Sequence, residues 1–226
     1  MRKFKRNVVS GKLNDFILNE LLAGIEQRND SDFSVDFGDI KFAGFDNVVV
    51  VGPQRSGTTF FAQVLATQLG YKYVDEIEFL VNDEYLFKKY LEVPGSVIQA
   101  PAMTHMVHKL VSDSVLVVYM RRATADILRS LVRKNGFLTP QVFAKNQVKV
   151  LRHRYAEHPC IKEILDEIHS DEIYIDIMYK IWRNCQIKAI KNYVELNYES
   201  LKDHPLWLDK AMRRDFHPKQ TSVQPR

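Results

Sequence analysis

The stretch VVVVGPQRSGTTFF, residues 48–61, concentrates hydrogen-bond donors in a short turn between two apolar segments. Two glycines bound the turn, and one cation and three hydroxyl groups come from Arg55, Ser56, Thr58 and Thr59. A turn that joins a strand to a helix presents backbone N–H groups and the positive end of the helix dipole to an anion. The stretch therefore predicts a site for a phosphate-like group.

Two departures from the Walker pattern argue against a Mg²⁺-dependent nucleotide hydrolase. That pattern requires Lys directly after its second glycine, where this chain has Thr58, and the nearest cation is Arg55. Nucleotide hydrolases also hold Mg²⁺ through an acid at the end of a neighbouring strand, whereas the apolar run VLVVY, residues 115–119, leads into Met-Arg-Arg. Basic groups at two strand ends favour a ligand with phosphates at two separate places, one in the loop and one near Arg122.

Three segments together resemble the sulfotransferase family. Its loop P-[KR]-S-G-T-T is matched by residues 54–59, with Gln54 in place of the proline. Its second motif, a strand followed by an Arg and by a Ser eight residues later, is matched by VLVVYMRRATADILRS with Arg122 and Ser130. Its late strand ending in Tyr-Glu-[DS]-Leu is matched by LNYESLKDHP, residues 196–205. The three segments occur in the family's order.

The resemblance implies a fold, a donor and a set of binding residues. The fold is a P-loop-containing, nucleoside triphosphate hydrolase-like α/β sandwich of three layers around a central parallel sheet. The donor is 3′-phosphoadenosine-5′-phosphosulfate (PAPS), the product is adenosine 3′,5′-bisphosphate, and no metal ion is implied. The residues assigned to the nucleotide are Arg55, Ser56, Gly57, Thr58, Thr59, Phe60, Arg122, Ser130 and Tyr198.

These residues would divide the donor between them. Arg55 would neutralise charge on the bridging oxygen, and the loop amides with the two threonine hydroxyls would hold the 5′-phosphate. Arg122 and Ser130 would grip the 3′-phosphate. Phe60 and Tyr198 would lie against the adenine, although each is also a plausible core residue. The neighbouring cations, Arg121 and Arg129, are expected at the surface.

A general base must take the proton of the acceptor hydroxyl. Cytosolic family members use a His shortly after the third strand, where this chain has a proline, and His105 and His108 lie just beyond. Other members use a Glu after the second strand, which YVDEIEF matches with Glu76. We favour Glu76 as the base, with Asp75, Glu78 and the two histidines as alternatives.

Other interpretations remain open. The Asp/Asn-Pro that usually follows the 3′-phosphate Arg is Ala-Thr here, and the basic C-terminal segment, residues 213–226, has no clean family match. The chain could be a P-loop nucleotide or small-molecule kinase, or a catalytically inactive nucleotide-binding homologue. The acceptor, whether small molecule, carbohydrate or peptide, and the oligomeric state cannot be read from the sequence.

The whole chain favours one enzyme domain. It has 226 residues with a net charge of +4, which suits anionic ligands without indicating a nucleic-acid partner. Residues 1–45 are expected to add a helix and a loop to the core. Two cysteines without metal-ligand spacing predict no disulfide and a reducing compartment. The absence of a long apolar run predicts no signal peptide and no membrane partner, so we expect a cytoplasmic protein.

Short apolar runs alternate with helical patterns along the chain, which predicts a parallel sheet covered on both faces. Ser56 is expected near the N-cap of the helix after the loop, and Gly70 at its C-terminus. The predicted strands are 47–51, 71–74, 97–99, 115–119 and 193–198. The predicted helices are 12–28, 58–69, 78–91, 124–134, 140–154, 161–168 and 172–192.

Overall fold

The computed structural model describes residues 42, 44–80, 83–135, 148–156, 158–167, 174–199 and 201. The helix predicted at 12–28 and the basic C-terminal segment lie outside the described residues, so these two predictions are untested.

One parallel sheet forms the centre of the fold. Its strands are β1 (Asn47–Val51), β2 (Lys72–Val74), β3 (Ser96–Gln99), β4 (Val115–Arg121) and β5 (Tyr193–Asn197). They are arranged in the order β2–β3–β1–β4–β5, and every neighbouring pair is parallel. Val49 of the central strand β1 lies opposite Ile98 on one side and Val117 on the other. The predicted parallel sheet is confirmed.

Helices cover the sheet. Those with described bounds are α1 (Thr58–Leu69), α2 (Glu84–Leu91), α3 (Thr124–Asn135), α4 (Pro159–Asp166) and α5 (Tyr174–Ile181). Residues 148–154 are also helical. Short 3₁₀ turns occupy Glu76–Phe79, Pro101–Met103 and Val107–Lys109. Gly70 ends α1 in the left-handed conformation, as predicted.

Two predicted helices differ from those observed. The pattern at 78–91 is divided, because Leu80 adopts a left-handed conformation that ends the first 3₁₀ turn and Asp83 caps a new helix at the amide of Leu86. The long helix expected at 172–192 is shorter and irregular. Its regular part, α5, continues into the π-helical turn Trp182–Gln186, which buries both Trp182 and Gln186.

Successive residues of β1 face two different apolar cores. All five residues of the strand are buried, as expected for a parallel strand covered on both faces. Val50 packs with Phe61 of α1 on one side of the sheet. Val51 packs on the other side in a second core that includes Trp182. The continuous run of valines therefore reflects burial on both faces, and it fixes the strand from which the loop at residue 52 begins.

The expectation of no disulfide is wrong. Cys160 of α4 and Cys185 of the π-helical turn are bonded to each other, with Cα atoms 5.9 Å apart. The packing of these two elements brings together cysteines that are 25 residues apart in sequence, a spacing without a recognisable motif. The inference from unpaired thiols to a reducing compartment thus loses its basis. None of the helices in the described part of the chain is long and apolar enough to cross a membrane.

Candidate functional site

The loop between β1 and α1 forms the centre of the candidate site. Gly57, with φ of 98°, is the N-cap of α1, and it has no side chain that could cap the helix. Ser56 directly precedes this cap, which agrees with its predicted position near the cap, and it is completely buried. The first amides of α1 point into the loop, where an anion is a suitable partner. The chain has a P-loop-containing α/β fold.

Both glycines of the loop allow a close approach that a larger residue would prevent. A Cβ atom on Gly52 would lie 2.4 Å from the carbonyl oxygen of Met120 in β4. A Cβ atom on Gly57 would lie 2.3 Å from Cδ2 of Tyr198, just after β5. Positive φ angles add to this requirement at both positions. The loop is therefore packed directly against the ends of the two strands that carry the other predicted site residues.

Residues from three separate sequence motifs meet at the loop. Nε of Arg55 donates a hydrogen bond to Oγ of Ser130, at 2.9 Å. Nη1 of Arg122 donates to the backbone carbonyl of Arg55, at 3.1 Å. The guanidinium group of Arg122 also lies 4.6 Å from the centre of the Tyr198 ring. The geometry thus gathers Arg55, Arg122, Ser130 and Tyr198 around one loop.

The other loop residues lie along the start of α1. Thr58 is buried, Thr59 is exposed and Phe60 is partly buried against the core on the α1 side of the sheet. Only the hydroxyl of Thr59 stands in solvent. The aromatic roles of Phe60 and Tyr198 toward adenine remain predictions.

The strands beside β1 end without an acid. β4 continues into Arg121 and Arg122, and β3 ends at Gln99, which is followed by Ala100 and Pro101. The fold thus places a second strand, β3, beside β1, which the sequence argument had not considered. The end of β3 has no acid either. Glu199, after β5, accepts a hydrogen bond from the amide of Ala123 at 2.9 Å. Glu199 therefore fixes the backbone directly before the first residue of α3.

A threonine that the sequence analysis did not consider holds the start of the loop. The amide of Gly52 donates to Oγ1 of Thr104, at 2.9 Å, and Thr104 is fully buried. Nε2 of Gln186, from the π-helical turn, donates to the backbone carbonyl of Thr104. No local sequence signal marks this contact, because its two partners are 52 residues apart.

The carboxylates after β2 have different surroundings. Asp75 caps the 3₁₀ turn at the amide of Ile77, at 3.1 Å, and its other oxygen accepts from the Tyr73 hydroxyl at 2.7 Å. Glu78 accepts from the Tyr90 hydroxyl at 3.3 Å. Glu76 is partly buried at the beginning of the same turn, which follows the edge strand β2, two places from β1 in the sheet. The role of Glu76 as the general base stays a prediction.

The two candidate histidines differ in exposure, since His105 is buried and His108 is partly buried. His105 is 5% exposed and makes an edge contact with Tyr155, with ring centres 4.8 Å apart. Burial lowers the pKa of His105 to about 3, and nearby cations act in the same direction. His108 faces His158, with Nε2 atoms 3.2 Å apart, and burial lowers its pKa to about 4. A buried imidazole is poorly placed to meet an acceptor, which agrees with the preference for Glu76.

The prediction that Arg121 lies at the surface is wrong. Arg121 is partly buried, and its guanidinium carbon lies 4.3 Å from the centre of the Tyr179 ring in α5. Consecutive strand residues face opposite sides of a sheet, so Arg121 faces α5 while Arg122 faces the loop. Arg129 is also partly buried, although 38% of its side chain is exposed, and it pairs with Asp126 at 3.0 Å.

Comparisons with known proteins give little further information. No protein-family model matches the chain, and no curated protein matches it. Among solved structures, the chain is similar to shikimate kinase from Acinetobacter baumannii in complex with shikimate, with 16% identity and a TM-score of 0.41. That match covers 70% of this chain and 88% of the kinase chain. A similarity at this level assigns no substrate and no reaction.

Proposed function

We propose that this chain transfers the sulfuryl group of PAPS to a hydroxyl group, or an amine, of an acceptor. The contact between Arg55 and Ser130, at 2.9 Å, carries the proposal. It joins the loop cation to the serine that follows Arg122 by eight residues, although the two motifs were identified independently in the sequence. Arg55 and Ser130 are 75 residues apart in the sequence, so it is the tertiary fold that brings them together.

The backbone of Arg55 supports a functional role for the loop. Its φ of 73° lies in the left-handed region, which costs a non-glycine residue about 1–3 kcal/mol. Glycine would adopt this conformation without strain, yet the position holds an arginine. Strain of this kind concentrates at ligand-binding sites. A cation held at this point can neutralise charge that develops on the bridging oxygen of the loop-bound phosphate as the bond from that oxygen to sulfur breaks.

The proposed step balances without a metal ion. The acceptor oxygen attacks sulfur, the bond between sulfur and the bridging phosphate oxygen breaks, and Glu76 takes the acceptor proton. The electron pair of the broken bond remains on adenosine 3′,5′-bisphosphate, opposite Arg55. Arg122 and Ser130 would hold the 3′-phosphate, and the amides of the first turn of α1 would hold the 5′-phosphate. Catalysis then rests on positioning and electrostatics.

A P-loop kinase is the second candidate. The fold is compatible with it, but a kinase of this fold needs an acid at a strand end for Mg²⁺. In the described residues, neither strand beside β1 ends in one. An inactive nucleotide-binding homologue is the third candidate, and its nucleotide contacts would be the same as those of the active enzyme.

Ligand-dependent melting, combined with an assay of sulfuryl transfer, separates the three candidates. We expect adenosine 3′,5′-bisphosphate at a hundred times its Kd to stabilise the chain by ~2.7 kcal/mol. Arg122→Gln should weaken this binding about 10–100-fold, since a charge-assisted hydrogen bond is lost. Arg129→Gln is the matched control. Stabilisation by ATP with Mg²⁺ and none by the bisphosphate would sink the proposal. Bisphosphate binding without sulfuryl transfer to any acceptor class would favour the inactive homologue.

A further inference from the structure

A small cavity lies between the loop, the end of β4 and the helix α5. Its volume is about 100 Å³. Its walls include Pro53, Arg121, Arg122, Asp176 and Tyr179. Pro53 belongs to the loop, and Arg122 contacts the carbonyl of Arg55, so the cavity borders the proposed nucleotide site. None of the residues of this cavity other than Arg122 was assigned to the nucleotide.

The size of this cavity limits its occupant. A buried cavity of about 150 Å³ is large enough to hold benzene, and this one has about two thirds of that volume. The cavity is partly open to solvent, so this volume limits only the part of a ligand that lies inside it. A carboxylate, a sulfate group or a phosphate group is of the appropriate size.

The charge of the cavity favours an anion. Two guanidinium groups, from Arg121 and Arg122, line it against the single carboxylate of Asp176. The Tyr179 ring lies 4.3 Å from the Arg121 guanidinium carbon and 5.6 Å from that of Arg183. An arginine held over an aromatic face keeps its N–H donors at the edge of its plane, where they match the oxygens of a carboxylate or a sulfate.

We infer that this cavity binds an oxyanionic group of the acceptor, either a carboxylate or an existing sulfate ester. The acceptor assignment rests on the proposed function, whereas anion binding by the cavity does not. Arg55, Ser130 and Tyr198 lie with Arg122 around the loop. Arg122 borders both the loop and the cavity, whereas Arg121 packs on Tyr179 of α5 and is not among the residues assigned to the nucleotide. We therefore assign the group that Arg121 holds to a second ligand.

Anion titrations of the full chain test the cavity itself. The loop is first filled with adenosine 3′,5′-bisphosphate, and sulfate or acetate then replaces chloride at constant ionic strength. We expect Arg121→Gln to weaken binding of the added oxyanion by about tenfold or more, while Arg129→Gln leaves it unchanged. Equal affinity in the wild type and Arg121→Gln, or no preference over chloride in the wild type, overturns the inference. If the bisphosphate itself fails to bind, the proposed function fails, and the comparison between the variants still decides the cavity.

A second variant, Arg121→Lys, tests whether misfolding explains a loss of oxyanion binding in Arg121→Gln. It keeps the positive charge but loses the forked geometry, so its affinity for sulfate should lie between those of the wild type and Arg121→Gln. The melting temperature of each variant without added anion identifies any that fail to fold. If Arg121→Lys and Arg121→Gln are both folded and both bind sulfate as the wild type does, the cavity is not an anion site.

Pairs of acceptors that differ only in one anionic group test whether the cavity binds the acceptor, and through which group. A hydroxy acid and its methyl ester are compared as acceptors of the sulfuryl group. Arg121→Gln should raise KM for the acid and leave KM for the ester unchanged, with little change in kcat. A sulfate ester and its parent alcohol form the second pair and distinguish a sulfate from a carboxylate. A rise in KM for PAPS, with no change for either acceptor pair, would assign the cavity to the donor and overturn the acceptor assignment.

Discussion

The Thr104 hydroxyl fixes the first amide of the loop between β1 and α1. It accepts the N–H of Gly52 at 2.9 Å, and the carbonyl oxygens of Pro101 and Gly52 lie 2.7 and 3.1 Å from it. Because the hydroxyl has one proton, the shorter contact, to Pro101, is the one it donates to. Thr104 thereby ties the loop to the segment after β3, and Gln186 ties the same threonine to the π-helical turn.

Thr104→Val should destabilise the fold by about 1–3 kcal/mol, because the buried amide of Gly52 loses its partner. Thr104→Ser keeps the hydroxyl and should recover most of that loss. The free energy of unfolding in urea gives the comparison. If the threonine also positions the loop, Thr104→Val lowers the affinity for adenosine 3′,5′-bisphosphate in the folded protein. Equal stability of the Val and Ser variants would contradict the assigned contact.

Gly57→Ala should disrupt the loop through its contact with Tyr198. The new Cβ atom would lie 2.3 Å from Cδ2 of the tyrosine ring. Removal of the ring in the double variant Gly57→Ala/Tyr198→Ala leaves only the cost of an alanine at φ 98°, which is about 1–2 kcal/mol. A double-mutant cycle on the free energy of unfolding should therefore give a coupling of about 0.5–3 kcal/mol between the two positions. Additive effects would mean that the ring does not rest on the glycine.

Glu76→Gln should lower kcat for sulfuryl transfer by about 10²–10⁴, the usual contribution of a general base. Binding of adenosine 3′,5′-bisphosphate should not change, since Glu76 lies two strands away from the loop strand in the sheet. Glu84→Gln, an exposed position at the start of α2, is the control. Turnover at the wild-type rate in Glu76→Gln would move the role of base to another residue.

Burial on both faces made the central strands readable from the sequence. The runs of valine in β1 and β4 need no tertiary information, because a strand between two helical layers is apolar at every position. The division of the predicted helix at 78–91 depends on a single backbone feature, the left-handed Leu80. A leucine gives no local sign of that conformation, so the sequence pattern extended through it.

The sequence predicted only those residues of the candidate site that a fixed spacing along the chain relates to one another. Arg122 and Ser130 lie on one strand end and the following helix, so a fixed interval relates them. Thr104 and the Cys160–Cys185 pair depend on contacts between elements that are 52 and 25 residues apart. Such contacts follow from the order of strands and the packing of helices, which a single sequence does not specify.

The disulfide should contribute about 2–4 kcal/mol to the free energy of unfolding, because it closes a loop over a separation of 25 residues. A reducing agent should lower the melting temperature of the wild type accordingly. Cys160→Ser should already have the lower value and should not respond to the reducing agent. Native protein should yield no reactive thiol before reduction, since these are the two cysteines of the chain. If the reducing agent does not change the melting temperature of the wild type, the assigned disulfide is contradicted.

Acid should destabilise the protein through His105. Burial lowers its pKa to about 3 in the folded state, whereas an unfolded histidine titrates near 6.5. The unfolded chain therefore binds a proton between these values. The stability is fully present above pH 6.5 and is lost as the pH falls, by ~1.4 kcal/mol at pH 5.5 from this residue. His105→Gln should flatten this part of the pH profile measured by urea unfolding. An unchanged slope in His105→Gln would show that folding does not lower the pKa of this imidazole.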